Sequence, residues 1–117
     1  MKLSKKWEIY LIHHSHTDIG YTERQDKITT YHVDFIRQAI QILDDIHSGK
    51  TTENKGFVWQ CENHWQIKNF YKAASEKEIA AFESYVKSGE IGLSGNYLNM
   101  TELIGSEALD SRLKQVK

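Results

Sequence analysis

The chain has 117 residues, of which 39% are apolar and 26% charged, and a net charge of −1; this is the size and balance of one ordinary soluble domain. Near-neutrality gives no electrostatic basis for binding nucleic acid or an anionic membrane, and no apolar run approaches the ~20 residues of a membrane span. The single cysteine, Cys61, excludes an internal disulfide, and its apolar neighbours predict a buried core thiol.

The first apolar run, Trp7-Glu8-Ile9-Tyr10-Leu11-Ile12, is short and interrupted by Glu8, against the ~7–15 residues of a secretory h-region. It reads as a strand over 7–13 covered on both faces, in a cytoplasmic protein. A helix is expected over 23–48, with Ile28, Tyr31, Phe35, Ala39, Ile42 or Leu43, and Ile46 as its apolar stripe and Gly49 as its stop. A polar loop over 51–55 leads to a second strand over 56–61. Asn63 is placed to cap a short helix carrying Trp65, Ile67, Phe70 and Tyr71. Ser75-Glu76-Lys77-Glu78 is a capping box, opening a helix with Ile79, Phe82, Tyr85 and Val86 on one face and Gly89 at its end. A short third strand over 90–93 and a helix over 102–116, with Leu109, Leu113 and Val116 in register, complete the series. There are no repeats or linkers, hence no internal boundary. The order β-α-β-α-α-β-α predicts an α/β fold with parallel strands joined by crossover helices, and three strands make an incomplete sheet.

The chemistry concentrates directly behind the first strand, in His13-His14-Ser15-His16-Thr17-Asp18-Ile19-Gly20-Tyr21. The C-terminal ends of parallel strands are where α/β folds collect ligands. His14, His16 and Asp18 alternate at i, i+2, i+4, so an extended chain points all three to one side. Imidazole nitrogen and carboxylate oxygen are donors that zinc accepts, which makes this a metal half-site. The plainer reading is histidines bonded to loop backbone beside an Asp-Ile-Gly turn. Two donors do not complete a site, since zinc takes about three or four from protein.

Glu62 and His64 follow the second strand on the same edge, as residues able to orient a zinc histidine or as ordinary surface groups. Asn96 and Tyr97 end the third strand. Thr101 and Glu102 have the form of a helix N-cap with a first-turn acid. His32 and His47 need no special role on their helix. Phosphate-binding, dinucleotide and Ser-His-Asp motifs are missing, and Gly92-Leu93-Ser94-Gly95 lacks their spacing.

The segment His14-Ser15-His16-Thr17-Asp18-Ile19-Gly20-Tyr21 resembles the H-x-H-x-D-x-G-W motif of glycoside hydrolase family 38, the zinc-dependent α-mannosidases. Phe57-Val58-Trp59-Gln60-Cys61-Glu62 resembles that family's F-x-W-x-x-E strand, with Trp65 and Phe70 following. Ile91-Gly92-Leu93-Ser94-Gly95-Asn96-Tyr97 falls where the family has its third strand and a G-G-W segment. The resemblance runs colinearly over about residues 7 to 110. It implies that this chain is the N-terminal fragment of a larger, (β/α)7-like barrel, spanning residues 1–117, with the remaining zinc ligands and the general acid downstream. It implies Zn2+ on His16 and Asp18, with His14 and Glu62 behind them, a sugar platform at Tyr21, and sugar contacts from Asn96 and Tyr97.

The chain also departs from the family. Tyr21 replaces the platform Trp, and Thr101 stands where the family has the Asp that is both zinc ligand and nucleophile. A threonine hydroxyl is a poor substitute in either role, which leaves Glu102 as the nearest carboxylate for catalysis. The leading expectation is a zinc-dependent glycoside hydrolase with a carbohydrate substrate and no nucleic-acid or membrane partner; an oligomer stays open. A deacetylase-like zinc hydrolase and an inactive carbohydrate-binding fragment are the alternatives. Metal content separates the last from the others, and nitrophenyl glycosides tested against acetylated sugars separate the first two.

Overall fold

Val33, Ile36, Ile40 and Leu43 recur at spacings of three and four residues, and this is the stripe that helix α1 (Gln25–His47) buries. A computed structural model of the chain describes residues 6–11, 13, 15–98 and 105–114, without the side chains of Leu109 and Arg112. The elements run α1, β1 (Trp59–Gln60), α2 (His64–Ala73), α3 (Glu76–Ser88), β2 (Ile91–Gly92) and α4 (Ser106–Leu113). The two strands pair in parallel, Trp59 with Ile91 and Gln60 with Gly92, in a helix-rich α/β arrangement. No helix among the described residues is long and apolar enough to cross a membrane.

One apolar cluster holds these parts together. Val33, Ile36, Ile40 and Leu43 meet Cys61, Ile67, Phe70, Phe82 and Ile91, with the Phe70 and Phe82 rings 5.1 Å apart. Burial pushes the Cys61 thiol up to about 12, so it behaves as the expected core residue. Ile28, Ala39 and Leu43 of the expected α1 stripe are buried, but the face is shifted along its other positions. Tyr31 stays 38% exposed, while Val33, Ile36 and Ile40 take the inside because α1 packs on both α2 and α3. Around the core, Arg37 Nε donates to Glu78 Oε1 at 2.6 Å and Tyr85 OH to Asp44 Oδ1 at 2.6 Å, fastening α1 to α3.

The local stop and start signals act as expected. Asn63 Oδ1 accepts the Gln66 N–H at 3.0 Å at the head of α2. Ser75 and Glu78 form the reciprocal capping box of α3, and Gly89 closes that helix at φ 82°. Two of the expected strands shrink to two residues each, since ladder bonds form only where β1 and β2 face each other. The expected first strand over 7–13 is a correction: residues 6–11 and 13 form no strand. Trp7, Ile9 and Leu11 are 77%, 78% and 92% exposed, because an extended segment gains no ladder bonds unless a partner strand meets its edge. The expected helix over 102–116 is corrected to α4: Gly105 is not helical and the helix begins at Ser106, since glycine is a poor helix interior residue, while Glu102 and Val116 lie outside the described residues.

Candidate metal centre

The site stands where β1 gives way to α2. Trp59 N–H and Cys61 N–H donate to Glu90 and Gly92 carbonyls at 2.9 and 3.0 Å, so the ladder ends at Cys61 and Glu62 is the first residue past it. The segment after β2 folds onto the head of α2, where His64 N–H donates to the Asn96 carbonyl at 2.8 Å and Trp65 N–H to that of Tyr97 at 3.0 Å. Those carbonyls satisfy donors that a helix start leaves without intrahelical partners. Both parallel strand ends are thereby gathered at one edge.

Glu62 is buried, its side chain 1% exposed, and a buried carboxylate requires donors. Two come from the N-terminal segment: His16 Nδ1 lies 2.8 Å from Oε1, and Thr17 N–H donates to Oε2 at 3.1 Å. Its own N–H donates to Gln66 Oε1 at 3.0 Å. Past the site, Gly20 adopts φ 87°, a conformation that turns the chain toward α1 and that other residues enter only with strain.

On its other side, His16 Nε2 lies 3.3 Å from Asp18 Oδ1. With Nδ1–H given to Glu62, a neutral His16 would aim its Nε2 lone pair at a carboxylate oxygen. A proton on Nε2 or a metal ion between the two would relieve that contact. The surroundings raise the imidazole above its ordinary range: the Glu62 hydrogen bond first, then the Glu62 charge, with burial opposing and Asp18 adding a lesser contribution. The same spacing suits a metal, because two donors at ~2.0–2.1 Å from a tetrahedral ion stand roughly 3.3 Å apart. His16, Thr17, Asp18, Ile19, Glu62, Asn63 and Leu98 line a cavity of about 240 Å³ there.

The structure thus brings together His16, Asp18 and Glu62 out of the residues singled out in the sequence. Tyr21 is 90% exposed. Asn96 is exposed and engaged through its backbone, and Tyr97 is buried with Lys68 Nζ 5.6 Å from its ring centre. His64 lines a different, apolar cavity of about 650 Å³ between α2 and α3, which contains none of the three converging groups. His14, Thr101 and Glu102 lie outside the described residues. Among those described, no cluster of three His, Cys, Asp or Glu groups is set to hold a metal. Sequence reasoning passed over Asn63 and Leu98 as site walls and Gln66 as the acceptor for Glu62; the usable signal was the position of Gln66 one helical turn after Glu62.

Comparison with known proteins gives one result. The family model described as glycosyl hydrolases family 38 N-terminal domain matches residues 6–115, a span that includes His16, Asp18 and Glu62. No curated protein and no solved structure matches the chain.

Proposed function

The chain belongs to glycoside hydrolase family 38, and we propose that it forms the zinc-binding edge of a catalytic domain that hydrolyses α-mannosides. The observation that carries this reading is the His16 imidazole, fixed at Nδ1 by the buried Glu62 carboxylate and facing Asp18 Oδ1 3.3 Å from Nε2. A carboxylate holding the far nitrogen of a ligating histidine is the usual support of a zinc site. The donor set therefore fits the ion. His16 and Asp18 would hold it, and the one or two further protein donors it needs come from beyond the described residues.

Bound zinc supplies a Lewis acid that binds sugar hydroxyls and steadies charge near an oxocarbenium-like transition state. The chain's own residues do the rest of the positioning. Glu62 fixes which His16 nitrogen is free, and Thr17 N–H holds the second Glu62 oxygen. Tyr21 offers an exposed ring for stacking on a sugar face, Asn96 and Tyr97 flank the same edge, and His14 stands beside the metal pair in sequence. Glu102 is the carboxylate nearest the family's nucleophile position, occupied here by Thr101. The chain is then the N-terminal part of the working enzyme, and alone it turns over no glycoside.

The test is nitrophenyl α-mannoside hydrolysis by the whole protein, before and after chelation, with other glycosides and acetylated sugars in parallel. Hydrolysis lost on chelation and restored by zinc supports the reading. Deacetylation without glycoside release would replace it with a different zinc hydrolase.

A further inference from the structure

We infer that Gln66 is a positioning residue for the candidate centre: it anchors the Glu62 backbone, and through Glu62 it sets which nitrogen His16 presents. The inference rests on the zinc reading only for its consequence, since the anchoring itself is a matter of hydrogen bonds. In β1, the N–H groups of Trp59 and Cys61 point to β2. By strand alternation the N–H of Glu62 points the other way, to a side where no strand among the described residues receives it. Gln66 Oε1 takes that N–H at 3.0 Å.

Gln66 is itself fully buried and bonded to three different partners. Its backbone N–H goes to Asn63 Oδ1 at 3.0 Å, its Oε1 to Glu62, and its Nε2 donates over a long 3.5 Å to the His32 carbonyl on α1. Burying a carboxamide in a 117-residue domain is justified only if its polar atoms are used, and all of them are. One side chain thereby joins α1, the head of α2 and the residue that grips His16. If Glu62 is released, its Oε1 drifts from His16 Nδ1, and the imidazole is free to carry its proton on Nε2. That is the nitrogen a metal needs bare.

The test is nitrogen NMR of the His16 ring in the 117-residue chain, stripped of metal and held well above its titration midpoint, for wild type, Gln66→Met and Gln66→Glu. Met keeps the volume but offers no comparable acceptor. Glu keeps a carboxyl oxygen at the same reach in either protonation state. The expected result is the Nδ1–H tautomer in wild type and Gln66→Glu, and a shift to Nε2–H in Gln66→Met, with the amide spectrum otherwise preserved. An unchanged tautomer in Gln66→Met, or the same shift in both variants, overturns the inference. Should Gln66→Met not fold, a through-hydrogen-bond coupling from the Glu62 amide nitrogen to the Gln66 carboxamide carbon decides in wild type, and its absence overturns the inference. Zinc titration forms a separate arm, where Gln66→Met should weaken binding by roughly 10–100-fold, the usual effect of removing outer support. Wild type that takes up no zinc would count against the metal reading and leave the tautomer result standing.

Discussion

Glu62 Oε1 stands 2.8 Å from His16 Nδ1, although the two residues are 46 positions apart in the chain. The pairing joins an N-terminal segment that forms no regular structure to the end of β1. Glu62→Gln tests it sharply, because an amide cannot accept from both His16 Nδ1–H and Thr17 N–H without turning its NH2 toward a donor. The imidazole of that variant should titrate lower than wild type, toward its ordinary value, since the first cause of its elevation is gone. Proton NMR titration of His16 reads this directly. Zinc binding should weaken by roughly 10–100-fold in parallel.

His32 is fully buried on α1 between Phe35 and Trp65, ring centres 5.8 and 5.4 Å away, and neither ring nitrogen finds a hydrogen-bond partner among the described residues. Burial lowers its titration point below 6.5, with the Glu62 charge opposing. The folded state therefore resists a proton that the unfolded chain accepts, and stability must fall as pH drops through about 6.5. His32→Leu should remove that part of the acid sensitivity and match or exceed wild type at pH 7. Urea unfolding at pH 7 and pH 5 checks both statements.

The α3 capping box carries a second pH dependence of separate origin. The Ser75 backbone N–H first, then Arg37 and the Ser75 hydroxyl, hold the Glu78 carboxyl down to about 2. A depressed carboxyl stabilises the fold above its ordinary value of 4.5, and the contribution is lost between there and about 2. Glu78→Gln should flatten the acid-unfolding curve in that window and leave its shape near pH 6 unchanged. Ser75→Ala, which removes the cap hydroxyl, should cost about 1 kcal/mol by denaturant unfolding.

Phe70 and Phe82 link α2 to α3 at the centre of the only cluster that α1, β1 and β2 share among the described residues. Phe70→Ala should cost ~3–5 kcal/mol, enough to abolish cooperative thermal unfolding in a domain of this size. Calorimetry distinguishes that outcome from a mere lowering of the midpoint.

Legibility in the sequence followed the range of the interactions. Asn63, Ser75-x-x-Glu78 and Gly89 act within a turn of their own backbone, so the bounds of α2 and α3 could be read from those residues alone. The face of α1 was legible only in part: Ile28, Ala39 and Leu43 are inside as expected, but Val33, Ile36 and Ile40 win over Tyr31 only through packing against two other helices. The strands were over-extended for the same reason: Trp59 and Gln60 are strand because Ile91 and Gly92 lie beside them, and Trp7 to Leu11 have no such neighbour among the described residues. At the site, the expectation that His16, Asp18 and Glu62 share one edge agrees with where they meet, although among the described residues only Glu62 follows a strand. Gln66 and Leu98 escaped notice because their part is visible only once separate elements are brought together.

The central claim is that zinc binds between His16 and Asp18, and the most direct measurement is a zinc titration of the chain followed by the ring resonances of its histidines. With two local donors the binding should be weak. It should move the His16 signals first and leave His32 and His47 in place, and Asp18→Asn should suppress the shift. Zinc that perturbs His64 or His47 while His16 stays unmoved, or that binds equally to the Asp18→Asn chain, would contradict the account.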